Sequence, residues 1–306
     1  METNPKVSVV IPTYSRNDTL ERAIASVLNQ TYRNLEILVV DDNPADSEWR
    51  ARTSDLMQKY AGNPMIRYIK NPCNMGGSGA RNTGIREAIG AYIAFLDDDD
   101  EYLTENIEKK LHAFQQADNE KVALVYGYSE YVDGGRVVYT DKKNFNGCCI
   151  FDAMEQNCIA ATSQWMVRKS ALVDIGYFPI VPSKQDSQTM LKLLGAGYEI
   201  KCVPEVLSRY YMDFSTVAHI SNNGRKPLQG ELLYYEECRK YYSQFDQKQI
   251  ARIEYTFAVM LYEKYTGIGD KRNAGIQKEK MYQLSFLKAT RYFGRAFLRK
   301  VKAKLI

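Results

Sequence analysis

The stretch Ala91-Tyr92-Ile93-Ala94-Phe95-Leu96-Asp97-Asp98-Asp99-Asp100 is an apolar run that closes on four consecutive carboxylates. Two unit charges ~4 Å apart repel by roughly 4 kcal/mol at an effective dielectric of about 20, so converging aspartates partly protonate unless a cation neutralises them. A hard divalent ion does this with a few carboxylate oxygens and leaves its other positions to water and substrate phosphates, which points to Mg²⁺ or Mn²⁺ and a phosphate-bearing ligand. Taken alone, the run is equally well a solvated acidic turn or the first turn of a helix, where aspartates complement the dipole.

The sequence upstream favours the site. Val7-Ser8-Val9-Val10-Ile11-Pro12 is a short β-branched run stopped by proline, as in a buried strand of a parallel sheet. Leu20, Ile24, Val27 and Leu28 then recur at helical spacing after Asp18 and Glu21. A second strand, Leu35 to Val40, ends on Asp41-Asp42, so two strands finish on acids at the edge where open parallel sheets bind ligands. A helix over 46–60, a strand over 65–69 and a helix over 80–89 complete a βαβαβαβ pattern.

These blocks together resemble the family 2 inverting glycosyltransferases: VSVVIPTYSRNDTLERAIASVLNQTYRNLEILVVDD, then NMGGSGARNTGIREAIGAYIAFLDDDD. The match is close over residues 5–110 and looser to about 220. The specificity lies in several blocks in the right order, since a lone DxD or the glycines Gly76, Gly77 and Gly79 would be weak signals. Those glycines lack the Lys-Ser/Thr ending of a P-loop and are expected to form a permissive loop beside the donor. The resemblance implies an α/β chain with the A-type glycosyltransferase fold, a Rossmann-like, mostly parallel sheet flanked by helices. The expected organisation is a catalytic domain over 1–222, with a nucleotide-sugar half to residue 100 and an acceptor half to 222, followed by a helical extension over 223–306.

Site roles follow from the same resemblance. Pro12, Thr13 and Tyr14 after the first strand, with Asp42 after the second, are expected around the nucleobase, where Asp42 accepting the uracil imide hydrogen favours a UDP donor. An Asx turn with Asn43-Pro44 is the structural alternative for Asp41 or Asp42. Arg81 is expected to face the diphosphate or to form a structural ion pair. Asp97 and Asp98 compete for the ribose, Asp99 is the expected metal ligand with Asp97 beside it, and His219 completes the metal shell. Gln185-Asp186 opens a helix at the place of the family's general base, which deprotonates the acceptor hydroxyl as it attacks opposite the leaving diphosphate. The alternative for Asp186 is capping of a helix over 188–194, outside which it would lie. Ser187 stands where the family often has an aromatic residue.

Composition narrows the classes. At 306 residues, 45% apolar and 25% charged, the chain has ordinary soluble content. Six cysteines show no metal spacing, and two histidines suit no hydrolytic triad. No stretch approaches the ~20 apolar residues of a membrane span, so the expectation is a cytoplasmic protein. Residues 280–306 carry eight basic residues and no acid, which leaves −4 on the rest of a chain whose net charge is +4. A mildly acidic body argues against nucleic acid as partner. The tail, with Phe293, Phe297, Val301 and Leu305 at four-residue spacing, suits an anionic membrane surface at 286–306, the body, or a second copy of the chain. A glycan or lipid-linked acceptor follows from family habit. A metal-dependent nucleotidyltransferase would need a phosphate-gripping signature near strand one, for which Tyr14-Ser15-Arg16 is thin. A non-catalytic sugar-nucleotide binder would have lost the base.

Overall fold

The computed structural model describes residues 4–117, 119–156, 159–212 and 224–304, with side chains to residue 296. Among the described residues nine strands form one sheet: β1 Val7–Thr13, β2 Leu35–Asp41, β3 Ile66–Lys70, β4 Tyr92–Phe95, β5 Glu101–Tyr102, β6 Val122–Asp133, β7 Arg136–Asp141, β8 Trp165–Arg168 and β9 Glu199–Tyr211. The helices are α1 Leu20–Leu28, α2 Glu48–Gln58, α3 Gly76–Glu87, α4 Asn106–Ala117, α5 Ile150–Gln156, α6 Lys169–Asp174, α7 Gln185–Gly195, α8 Arg225–Arg239, α9 Gln247–Gly267, α10 Lys271–Leu284 and α11 Phe286–Lys304.

The strand order is β3-β2-β1-β4-β8-β6-β9-β5, with β7 paired to β6 as a hairpin. The first four strands are mutually parallel, so the carboxyl ends of β1, β2 and β4 lie on one edge. Beyond β4 the sheet is mixed: β8 runs antiparallel to both β4 and β6, while β9 returns parallel to β6. The β6–β7 turn uses Gly134 and Gly135, both at positive φ, which suits the twist of a tight hairpin.

Val7, Val9 and Ile11 of β1, Ile37 and Val39 of β2 and Ala94 of β4 are buried together with the apolar face of α1. Each fully buried Val, Leu or Ile contributes about 1.5–3 kcal/mol, so this face holds the acid-bearing edge rigidly. On the other face, α3 crosses β1 at Gly84, where a Cβ would lie 2.4 Å from Val10 Cγ1. Only glycine allows that approach.

The chain divides into two compact units. One comprises Met1–Ile150, Cys158–Ile180 and Gln185–Thr216, and contains the sheet. The other comprises Phe151–Asn157, Val181–Lys184 and Val217–Ile306. In the second unit α9, α10 and α11 meet at Ala258, Met281 and Ala289. Phe293, expected on the apolar stripe of the tail, packs here against Tyr262 and Tyr282, with ring centroids 5.2 and 5.8 Å away. The side chains of Phe297, Val301 and Leu305 lie outside the described residues. Among the described residues, no helix is long and apolar enough to cross a membrane.

Two expected boundaries move. The helix expected over 80–89 begins at Gly76, so Gly76, Gly77 and Gly79 form its first turn instead of a loop. Its N-cap, Met75, supplies no side-chain bond. Asp42 does so from β2's end, accepting from the backbone N–H of Met75 at 2.9 Å and Gly76 at 2.8 Å. A carboxylate at the positive end of the dipole thus nucleates a glycine-rich turn of poor propensity. Likewise α7 starts at Gln185, which places Asp186 inside the first turn.

Candidate active site

The four aspartates divide by exposure. Asp98 and Asp100 are buried, 6% and 3% exposed. The side chains of Asp97 and Asp99 are 33% and 27% exposed, so the outer pair reaches solvent. Each buried acid has a hydroxyl partner: Thr13 Oγ1 donates to Asp98 Oδ2 at 2.7 Å, and Ser163 Oγ to Asp100 Oδ2 at 2.6 Å. Ser163 also accepts from the backbone N–H of Asp97 at 3.0 Å. It sits on the one-turn 3₁₀ helix Thr162–Gln164 entering β8, and its own neighbours give no sign of the role.

Each exposed acid has an arginine. Arg81, from the middle of α3, pairs with Asp97. Arg16, from the loop after β1, pairs with Asp99 and reaches Asp98 Oδ1 at 3.4 Å. The thin basic signal near strand one is therefore turned towards the acids. Burial, the charges of Asp99 and Asp97 and the opposing Thr13 bond and Arg16 charge leave the Asp98 carboxyl pushed up to about 7. Asp99 is raised by burial and then by Asp97, against the pull of Arg16, and Asp100 stands well above the usual range through burial and both neighbours. Such crowding is characteristic of sites that await a charged ligand.

The structure places the other expected residues as follows. Thr13 is buried with its hydroxyl committed to Asp98, whereas Tyr14 is 50% exposed beside it. Pro12 lies one position upstream, half-buried in β1. Asp41 makes the Asx turn, with Oδ1 accepting from Asn43 N at 2.9 Å, and its Oδ2 takes Tyr68 and Arg50. The oxygens of Asp42 accept from Asn71 Nδ2 at 2.7 Å and from the α3 backbone, so a nucleobase donor would share this carboxylate with three protein donors. Burial raises Asp42 despite these bonds. Arg81 forms the ion pair, yet its buried Nε and Nη1 have no hydrogen-bond partner in the structure. The protein itself leaves those two donors unsatisfied.

Asp186 belongs to the same neighbourhood. A Cβ built on Gly77 would lie 3.0 Å from Arg81 Nη1 and 3.7 Å from Gln185 Nε2, so the residue before Asp186 and the diphosphate candidate converge on one glycine. Ser187 N–H donates to Asp186 Oδ1 at 2.7 Å. His219 lies outside the described residues. Among the described residues no three acids, histidines or cysteines converge into a metal cage. Two solvent-reaching carboxylates fit a hard ion that keeps water and phosphate in its remaining positions, which is the habit of Mg²⁺ and Mn²⁺.

Residues 8–176 match the model of the family described as Glycosyl transferase family 2. The UDP-Glc:alpha-D-GlcNAc-diphosphoundecaprenol beta-1,3-glucosyltransferase WfaP of Escherichia coli is 32% identical over 195 residues, covering 64% of this chain and 72% of its own length. The GalNAc(5)-diNAcBac-PP-undecaprenol beta-1,3-glucosyltransferase of Campylobacter jejuni is 38% identical over 125 residues, covering 40% of this chain but only 38% of its own. Among solved structures, TarS of S. aureus in complex with UDP-GlcNAc superposes with a TM-score of 0.63 at 18% identity, covering 93% of this chain and 81% of that one. A mannosyltransferase of Pyrobaculum calidifontis in complex with GDP-Man and Mn²⁺ gives 0.63 at 16% identity, covering 98% and 81%. At such identities the two structures share the fold alone.

Proposed function

The chain belongs to glycosyl transferase family 2 and has the A-type glycosyltransferase fold, and from that premise we propose that it is an inverting enzyme moving a sugar from a UDP-linked donor onto a lipid-linked acceptor of a cell-surface glycan. The observation that carries the donor reading is the outer pair Asp97 and Asp99, reaching solvent at the carboxyl end of β4, with two unpartnered buried nitrogens of Arg81 alongside. The names of the two bacterial relatives support an undecaprenol-diphosphate sugar as acceptor class and, for WfaP, a UDP-glucose donor.

In this reading Arg81 takes the donor diphosphate, Asp98 or Asp97 takes the ribose, and Pro12, Thr13 and Tyr14 line the nucleobase approach with Asp42. Asp99 with Asp97 holds Mn²⁺ or Mg²⁺, and His219 is proposed as a further ligand. Such a cation stabilises the charge that grows on the leaving diphosphate. Asp186 removes the proton from the acceptor hydroxyl, and a single displacement then inverts the anomeric carbon without a protein nucleophile. The tail keeps the enzyme beside its acceptor: Phe286 and Leu287 are 68% and 82% exposed at the start of α11, and the groove that follows along the helix is lined by Lys288, Arg291 and Arg295 with Tyr255, Tyr292 and one acid, Glu263. Exposed apolar residues flanked by cations suit an anionic lipid surface.

The test is turnover across a panel of UDP-, GDP- and dTDP-sugars with a diphosphate-lipid acceptor, the product's anomeric configuration being read by NMR. The expected result is transfer from a UDP-sugar with inversion. Retention, or transfer from GDP-sugars alone, would reject it.

A further inference from the structure

Asp97 and Asp99 are neutralised by arginines of opposite character. Arg81 is 6% exposed in its side chain and rides on a helix packed against the sheet, whereas the Arg16 side chain is 42% exposed and stands on a loop. The main chain around Arg16 is nonetheless fixed. Ser15 holds φ at +54°, a strained value for a residue with a Cβ, and its N–H donates to Asn43 Oδ1 at 2.8 Å. The main chain of Asp99 is held from the opposite side, where Arg22 Nη2 donates to its carbonyl at 2.5 Å and the Arg22 guanidinium lies 3.7 Å over the Tyr211 ring. Two anchored backbones therefore present two side chains to each other, and those side chains are the parts free to change partners.

We propose that Arg16 is an exchangeable counter-ion: it neutralises Asp98 and Asp99 until a divalent cation displaces it from Asp99, and the released guanidinium then turns to the phosphates of the donor. This deepens the function proposed above and rests on its placement of metal and donor. The chemistry favours the exchange. A guanidinium brings one positive charge to carboxylates that a divalent ion satisfies with two, and its planar fork matches a phosphate as well as it matches a carboxylate. Such an arrangement makes metal and donor help each other bind. Metal alone must evict Arg16 without compensation, whereas metal with donor gives the guanidinium a new anion. Arg81 keeps Asp97 paired throughout.

The proposal predicts opposite changes in two affinities, both read by calorimetry on the full chain without any acceptor. Arg16→Gln, which removes the charge at similar length, should bind Mn²⁺ alone roughly fivefold or more tightly than wild type, and should bind UDP in saturating Mn²⁺ roughly fivefold or more weakly. Arg16→Lys keeps the charge and should follow wild type for Mn²⁺ alone while binding UDP more weakly. Should the Gln variant fail to fold, the Lys variant decides: a Mn²⁺ affinity tenfold away from wild type overturns the proposal. Unchanged or weaker Mn²⁺ binding by Arg16→Gln, or no Mn²⁺ binding by either protein, also overturns it. A wild-type chain that shows the coupling but transfers no sugar would reject the proposed activity and leave the exchange standing. Sugar transfer with a Mn²⁺ affinity indifferent to Arg16 would do the reverse.

Discussion

Glu254 in the helical unit and Asp99 in the sheet unit are both partly buried carboxylates beside a cation, yet their surroundings drive them in opposite directions. Glu254, on α9, accepts from Tyr235 of α8 at 2.7 Å, from Tyr242 at 2.8 Å and from Lys280 of α10. Burial pushes its carboxyl up, but these bonds outweigh burial and hold it below the usual range. Around Asp99 burial and the neighbouring Asp97 outweigh Arg16, and the carboxyl stands above that range. One cluster completes itself with its own residues and serves the fold. The other is left crowded with like charge, and a local conflict kept in an otherwise consistent chain points to a ligand.

The largest effects that would break this contrast lie in the sheet unit. Asp99→Asn should abolish metal-dependent transfer, and Asp186→Asn should lower it at least roughly 100-fold while calorimetry shows UDP binding intact. The Asp99 change should not lower the melting temperature, because that site relieves crowding when it loses its charge. A variant that loses activity and stability together would make the acid cluster structural after all. In the helical unit the expectation is reversed: Glu254→Gln should cost about 2 kcal/mol in denaturant unfolding and leave UDP affinity unchanged, since three donors lose a charged acceptor.

Acidity sharpens the comparison further. Asp98, facing Thr13, Arg16, Asp97 and Asp99, sits at about 7 against an ordinary 3.8, so the folded chain binds its proton earlier than the unfolded chain does. Stability from this group therefore rises as pH falls from about 7 towards 4. With metal chelated, the wild-type melting temperature should climb relative to Asp98→Asn between about pH 7.5 and about pH 5. Glu254 has the other sign: its lowered pKa gives stability that is present above its ordinary 4.5 and disappears as pH falls through the folded value. The smallest effect concerns the surplus charge of the helical unit. Arg291→Gln and Arg295→Gln should each weaken flotation with anionic liposomes roughly fivefold, at ~1 kcal/mol per near-surface cation, with turnover of a soluble acceptor unchanged.

Much of the sheet unit is legible in the sequence because its signals are local. The β-branched runs at Val7 and Leu35, the periodic α1 and the acids at two strand ends each announce themselves within a few residues. What escaped depends on distant partners. The first turn of α3 looked like a loop because its glycines disfavour helix, and the group that caps it, Asp42, lies more than thirty residues upstream. Ser163 gathers Asp97 and Asp100 across more than sixty residues. Arg16 could be seen as a cation near strand one, but its choice of Asp99 over a phosphate is a fact of tertiary structure. The second unit borrows Val181–Lys184 from between two segments of the first, an interleaving that no composition change marks.

The contact of Gly84 with Val10 carries a further consequence. Gly84 and Arg81 lie three residues apart on one face of α3, so the depth to which that helix sinks onto β1 also sets how far the guanidinium extends towards Asp97. A methyl group at Gly84 would have to lift the helix or shift Val10, and the lift would carry Arg81, one turn away on the same helix, with it. The electrostatic poise of the acid cluster is thus gauged by a contact between two residues that hold no polar side-chain atom, and inheritance can retune the chemistry of this edge by altering only how closely a helix lies on a strand.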